Sequence, residues 1–181
     1  MIDRKEGIKI LKEWVKNSNL RKHLYATAYC MEAYAEKLGK DKDKWFLTGL
    51  LHDLDYEKYP DEHPFKAIEF LKDKVDEDVI EAIRKHAFPE LKRESELEKF
   101  LVAIDELTGF LIAVSLVMPQ KSFKEIKLTT FKKKWKDKAF ARGVDRKLVE
   151  TFVSEANLVM EEHVDFMLKV LSDKEKDLYD D

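Results

Sequence analysis

The sequence predicts an all-α fold, and two observations carry that reading. Glycine and proline are scarce, with five and four in 181 residues, and charged residues make up 39% of the chain, with leucine, lysine and glutamate throughout. Such a composition favours long amphipathic helices over short strands and tight turns. The length suits one domain with a substantial core, and no internal repeat or flexible linker marks a second.

The helices follow in order. Asp3 followed by Glu6 forms a helix-start pair, and Ile8, Leu11, Trp14 and Val15 recur at helical spacing, so a first helix ends near Asn17. Ser18 can cap a second helix, whose apolar positions Leu20, Leu24, Ala28, Met31, Ala35 and Leu38 run to Gly39, a natural C-terminal cap. Asp41 or Asp43 starts a third helix through Trp45, Phe46, Leu47, Leu50 and Leu51, ending at the pair His52 and Asp53. After the loop "DYEKYPDEH", Pro64 suits the first position of a fourth helix with Phe65, Ile68 and Leu71 inward. Val79, Ile80 and Ile83 mark a fifth that stops before Pro89.

Ser95 and Glu98 form a capping-box pattern ahead of "FLVAIDELTGFLIAVSLVM", the most apolar part of the chain. This reads as a buried helix, because its uninterrupted apolar stretch is shorter than the roughly 20 residues a bilayer needs. A lysine-rich segment at 121–142 follows, then an amphipathic helix with Leu148, Phe152, Val159, Val164, Phe166 and Val170, and an acidic terminus expected to fray.

The net charge of -3 argues against a general nucleic-acid-binding surface. The single cysteine, Cys30, excludes an intrachain disulfide and reads as a small apolar packing residue. The N-terminus lacks a basic region followed by an apolar core, so a cytoplasmic protein is expected.

An imidazole and a carboxylate side by side behind a run of leucines, in "LLHDLDYEKYPDEHP", are costly to bury unless each finds a partner. Asp105 poses the same problem within an otherwise apolar helix. His23, His52, Asp53 and Asp105 supply two imidazoles and two carboxylates from three helices, a nitrogen and oxygen set suited to a divalent transition metal.

This order resembles the signature of the HD superfamily of metal-dependent phosphohydrolases: one histidine, a later adjacent His-Asp, and a distant aspartate on a helical scaffold. The resemblance spans about residues 18–118, with the helices at about 119–175 as an extension. Members with two metals add two histidines between the His-Asp pair and the last aspartate, and His63 and His86 stand in that interval. The resemblance implies one ion on His23, His52 and Asp105, a second on His63 and His86, and Asp53 between them, with His52 and Asp53 as the catalytic pair. It implies one or two divalent ions (Fe, Mn, Zn, Ni or Co) and a small phosphorylated substrate, a nucleotide first among them. Two alternatives keep the same scaffold: a di-iron oxygenase and a non-catalytic nucleotide-binding module.

The chain departs from the commoner form "HDIG", with Leu54 and Asp55 in the last two places, and carries Tyr56 where some subgroups have lysine. Lys58, Arg84 and Lys85 could each reach a substrate phosphate. Taken singly, His63 can cap the fourth helix and His86 the end of the fifth. His163, outside the motif, reads as a surface or boundary residue paired with a nearby glutamate. Glu106 lies about 100° around the helix from Asp105, either as an outer orienting group or as an ion-pair partner. "FKKKWKDKAFARGV" reads first as an amphipathic helix with a solvated basic face, with a rim that attracts anionic substrates as the functional alternative. No membrane contact is expected, nucleic acid is not the expected ligand, and exposed aromatics on the C-terminal helices could serve a homo-oligomer.

Overall fold

Side-chain caps set most of the helix boundaries. Asp3 accepts from Glu6 N at 2.8 Å to open α1 (Arg4–Trp14). Asn17, one residue before the expected Ser18, opens α2 (Ser18–Leu38) by accepting from Asn19 N and Leu20 N. An amide oxygen caps as well as a hydroxyl, so the side chain that reached the free N–H groups decided the position. Gly39 closes α2 at φ 66° and ψ 33°, a left-handed conformation that glycine adopts without a side-chain penalty. Asp41 then caps α3 (Lys42–Leu51).

The computed structural model describes residues 1–179, and all regular structure among them is helical. Beyond α3 come α4 (Phe65–Leu71), α5 (Glu77–His86), α6 (Glu96–Leu116), α7 (Leu128–Lys136), α8 (Arg146–Glu155) and α9 (Met160–Asp173), with short 3-10 turns at Pro60–Glu62, Phe123–Glu125 and Glu175–Leu178. Ser95 Oγ accepts from Glu98 N, while the Glu98 carboxylate reaches back to Glu94 N, completing the start of α6.

Helices α2 and α6, 21 residues each, form the centre. Helix α3 lies along α2, and α6 touches α2, α5 and α8. Leu101, Ile104, Leu107, Phe110 and Leu111 on α6 are buried, each contributing on the order of 1.5–3 kcal/mol of apolar transfer. The closest approach is at Gly49. A Cβ there would meet backbone atoms of Ala28 at 2.8 Å, so only glycine lets α3 close onto α2 at this point. Arg93 joins the loop after α5 to α8, donating to both carboxylate oxygens of Glu155 at 2.9 and 3.3 Å. No helix of the described residues is long and apolar enough to cross a membrane, and Cys30 is buried as expected.

Several expectations are corrected. The C-terminal amphipathic helix is two helices, broken at Asn157 with φ 56°, a conformation asparagine tolerates better than most residues. The basic segment is helical only to Lys136, and turns follow to Asp145. Phe65 is exposed beside Phe88, and Ala67 takes the buried position of that turn. The terminus is anchored through Tyr179: Leu178 is buried, and Glu175 accepts from Ser122 Oγ and Phe123 N. Asp180 and Asp181, the last residues of that expected frayed end, lie outside the described residues.

His163 is the sharpest correction, since it is buried and not at the surface. Its Nε2 donates to Ala103 O at 2.8 Å and its Nδ1 accepts from the Tyr34 hydroxyl, so a neutral ring satisfies both nitrogens. Burial lowers its pKa to about 4, outweighing the opposing bond to Ala103 O. The unfolded chain therefore binds a proton below about pH 6.5 that the folded chain refuses, and stability falls as pH falls from there towards 4. Between pH 7.5 and 4.5, urea denaturation of wild type should show a loss about 2.5 kcal/mol larger than that of His163→Gln. Equal losses would remove the buried neutral imidazole from the account.

Candidate metal centre

Helix packing brings His23, Asp53, His63, His86 and Asp105 to line one cavity of about 440 Å³, with His52 buried behind the two carboxylates. Helix α2 supplies His23, and the end of α3 supplies His52, with ring centroids 5.5 Å apart across the contact that Gly49 permits. Asp53 begins the following loop. His63 follows the 3-10 turn, His86 is the last residue of α5, and Asp105 projects from α6.

The contacts fall into two groups. Asp105 Oδ1 lies 2.8 Å from His23 Nε2 and 3.2 Å from His52 Nε2. Asp53 Oδ1 lies 3.0 Å from His86 Nε2 and 3.3 Å from His63 Nε2, while its Oδ2 lies 3.5 Å from His52 Nε2. The donor atoms of His23, His52, Asp53 and Asp105 are all within 4.8 Å of one another, as are those of Asp53, His63 and His86. Asp53 thus belongs to both groups and turns one oxygen to each.

The other nitrogen of three rings is already committed. His52 Nδ1 donates to Gly49 O at 2.7 Å, His86 Nδ1 to Ile83 O, and His63 Nδ1 to Asp55 Oδ1 at 2.7 Å. In each neutral ring the Nε2 lone pair then points at a carboxylate oxygen, an arrangement that is repulsive without a proton or a cation between them. This is the tautomer that metal-binding histidines present, with an outer acceptor fixing the ring. The residues present therefore fit a divalent cation.

Without a cation, protons take its place in the electrostatics. Burial pulls the His52 pKa down, but the charges of Asp53 and Asp105 overcome it and raise it to about 9. Burial opposes ionisation of Asp53 too, yet His52 and His86 bring it down to about 2, and the imidazoles of His52 and His23 hold Asp105 well below the usual carboxylate range. Both carboxylates remain ionised, as a metal requires.

The three cations considered for phosphate binding are turned elsewhere. Lys58 Nζ sits 5.2 Å from the centre of the Trp14 ring, Arg84 Nε is 3.1 Å from Glu81, and Lys85 Nζ donates to Glu98 at 3.0 Å. None lines the cavity. The loop carries Lys58 towards α1, and carboxylates nearer than the cavity claim the other two. Glu106 stands with the cavity-lining residues, as do Tyr56, Val102, Val144, Leu148 and Phe152.

Asp55 was not among the expected site residues. It is fully buried, accepting from His63 Nδ1 with one oxygen and from Ala67 N at 2.8 Å with the other. The signal was present: a second carboxylate two residues after Asp53, between Leu54 and Tyr56, carries the same burial cost once enclosed. Asp55→Ala should weaken binding at the His63 and His86 group by about 10–100-fold, read by competition with a chromophoric chelator, and leave the His23 group within a few-fold. Unchanged affinity at both would show that Asp55 does not position His63.

Residues 20–109 match the family model of the HD domain, a span that contains all six clustered residues. No curated protein and no solved structure matches the chain.

Proposed function

Because the chain belongs to the HD superfamily, we propose that it is a metal-dependent phosphohydrolase acting on a small phosphate ester, with nucleotides the first class to test. The observation that carries this reading is the set of Nε2 atoms aimed at Asp53 and Asp105 while the opposite ring nitrogens are occupied. His23, His52 and Asp105 would hold one ion, His63 and His86 the other, and Asp53 both. Imidazole and carboxylate donors suit Mn, Fe, Co, Ni or Zn. Bound there, such ions supply Lewis acidity that favours hydroxide over water at neutral pH and neutralises phosphoryl charge.

The chain's own part is positioning. The bonds to Gly49 O, Ile83 O and Asp55 keep the rings from rotating, so no reorganisation is needed as charge develops on the phosphoryl group. Val102, Leu148 and Phe152 offer the ester an apolar wall that displaces water. Water oxygen bonds to phosphorus, the ester P–O bond breaks, and the leaving oxygen takes a proton, giving phosphate and an alcohol. Helix α8 contributes Leu148 and Phe152 to the wall, which supports the 181 residues working as one HD-type domain.

Phosphate release from p-nitrophenyl phosphate and nucleoside monophosphates should stop on chelation and return when Mn²⁺, Co²⁺ or Ni²⁺ is added back. Asp53→Ala should lower kcat by about a thousand-fold or more while the melting transition stays cooperative. Undiminished turnover in that variant would refute the assignment. Oxygen uptake by iron-loaded protein without phosphate release would move the chemistry to the oxygenase class.

A further inference from the structure

The metal cavity contains no lysine or arginine among its lining residues, which besides the histidines include the carboxyl groups of Asp53, Asp105 and Glu106. A phosphate bound at the metals therefore finds no cationic side chain there. The cations lie next door. A second cleft of about 470 Å³ is lined by Trp135, Lys136, Lys138, Arg142, Arg146 and Glu150, and it shares Val144 with the metal cavity.

Lys136, Lys138 and Arg142 are exposed, and their side chains make no hydrogen bond or ion pair among the described residues. Three unpaired cations around one cleft are notable in a chain of net charge -3. Arg146 is different, because its guanidinium is spent on the backbone. It donates to the carbonyls of Ala141 at 2.7 Å, Val144 at 3.0 Å and Asp137 at 3.3 Å, and also to Phe140 O, while lying over the Phe110 and Trp135 rings. The turns that carry Lys138, Arg142 and Val144 are thereby held in one conformation, so a ligand does not have to order them.

From this juxtaposition we propose that the cleft binds a second phosphate on the substrate, so that the preferred ester carries one phosphate at the metals and another at Lys138 and Arg142. This rests on the phosphohydrolase reading above and narrows its substrate class to small bisphosphates of the nucleoside bisphosphate kind. The apolar surface of Val144 and Leu148 lies under the body that joins the two phosphates. Guanidinium and ammonium groups suit phosphate oxygens at that end, where no metal is needed.

The test compares adenosine 3′,5′-bisphosphate with AMP. In metal-loaded wild type the bisphosphate should have a KM about tenfold or more below that of AMP at similar kcat. Lys138→Ala/Arg142→Ala should abolish that advantage and leave AMP turnover within about two-fold, whereas Lys133→Ala/Lys147→Ala, which removes equal charge outside the cleft, should preserve it. Calorimetry of the same proteins with chelator present should show the same ranking for binding alone. Equal affinity for the two nucleotides, or equal losses in both double variants, would overturn the second-phosphate site while leaving hydrolysis intact. Selective binding that depends on Lys138 and Arg142, with no hydrolysis of either ester under any metal, would uphold the cleft and refute the phosphohydrolase reading.

Discussion

Two ionised carboxylates, Asp53 and Asp105, held against four imidazoles at the junction of α2, α3, α5 and α6, set the electrostatic constraint around which this protein is organised. Buried carboxylates persist only with compensating positive charge. Protons can supply it, and the rise of His52 to about 9 shows how strongly the site demands them. Divalent cations supply it better, since each satisfies several lone pairs at once and leaves the imidazoles neutral. The surrounding bonds prepare for that outcome, because the Nδ1 atoms of His52, His63 and His86 are spent before any ligand arrives.

The scaffold serves the same end. Gly49 matters twice: its missing side chain lets α3 meet α2, and its carbonyl orients His52. Asp55 does for His63 what the Ile83 carbonyl does for His86, and its second oxygen ties the arrangement to the start of α4 through Ala67 N. Arg93 holds α8 close enough for Phe152 to form part of the cavity wall, with the guanidinium 4.7 Å from that ring. Helix packing and the orientation of the imidazoles are therefore parts of one structure, and the α6 core that buries Leu107 and Phe110 also presents Asp105.

Much of this was legible in the sequence because it rests on local chemistry. Asp3, Gly39, Asp41 and Ser95 act at the helix ends where short-range capping rules put them, and the His-Asp pair declares itself by the cost of burying it. What was not legible depends on distant partners. The burial of His163 needs Tyr34 and the Ala103 carbonyl, neither near in sequence. Whether Lys58 turns to a phosphate or to Trp14, and whether Lys85 meets Glu98, is decided by tertiary packing. The break at Asn157 interrupts an apolar periodicity that reads as continuous, and the docking of Leu178 gives order to a tail whose charge pattern suggests none. The HD resemblance joined the six residues before any distance was known, but it was silent on Asp55, since that position departs from the commoner motif.

The proposed chemistry depends on the two donor groups holding metal. Elemental analysis of protein purified without added metal or chelator, comparing wild type with His86→Ala and His52→Ala, tests this most directly. Close to two transition-metal ions per chain are expected in wild type and close to one in His86→Ala, with His52→Ala also depleted. Metal content near zero in wild type, persisting after reconstitution with divalent ions, would contradict it and leave the imidazoles and carboxylates as a proton-linked structural cluster.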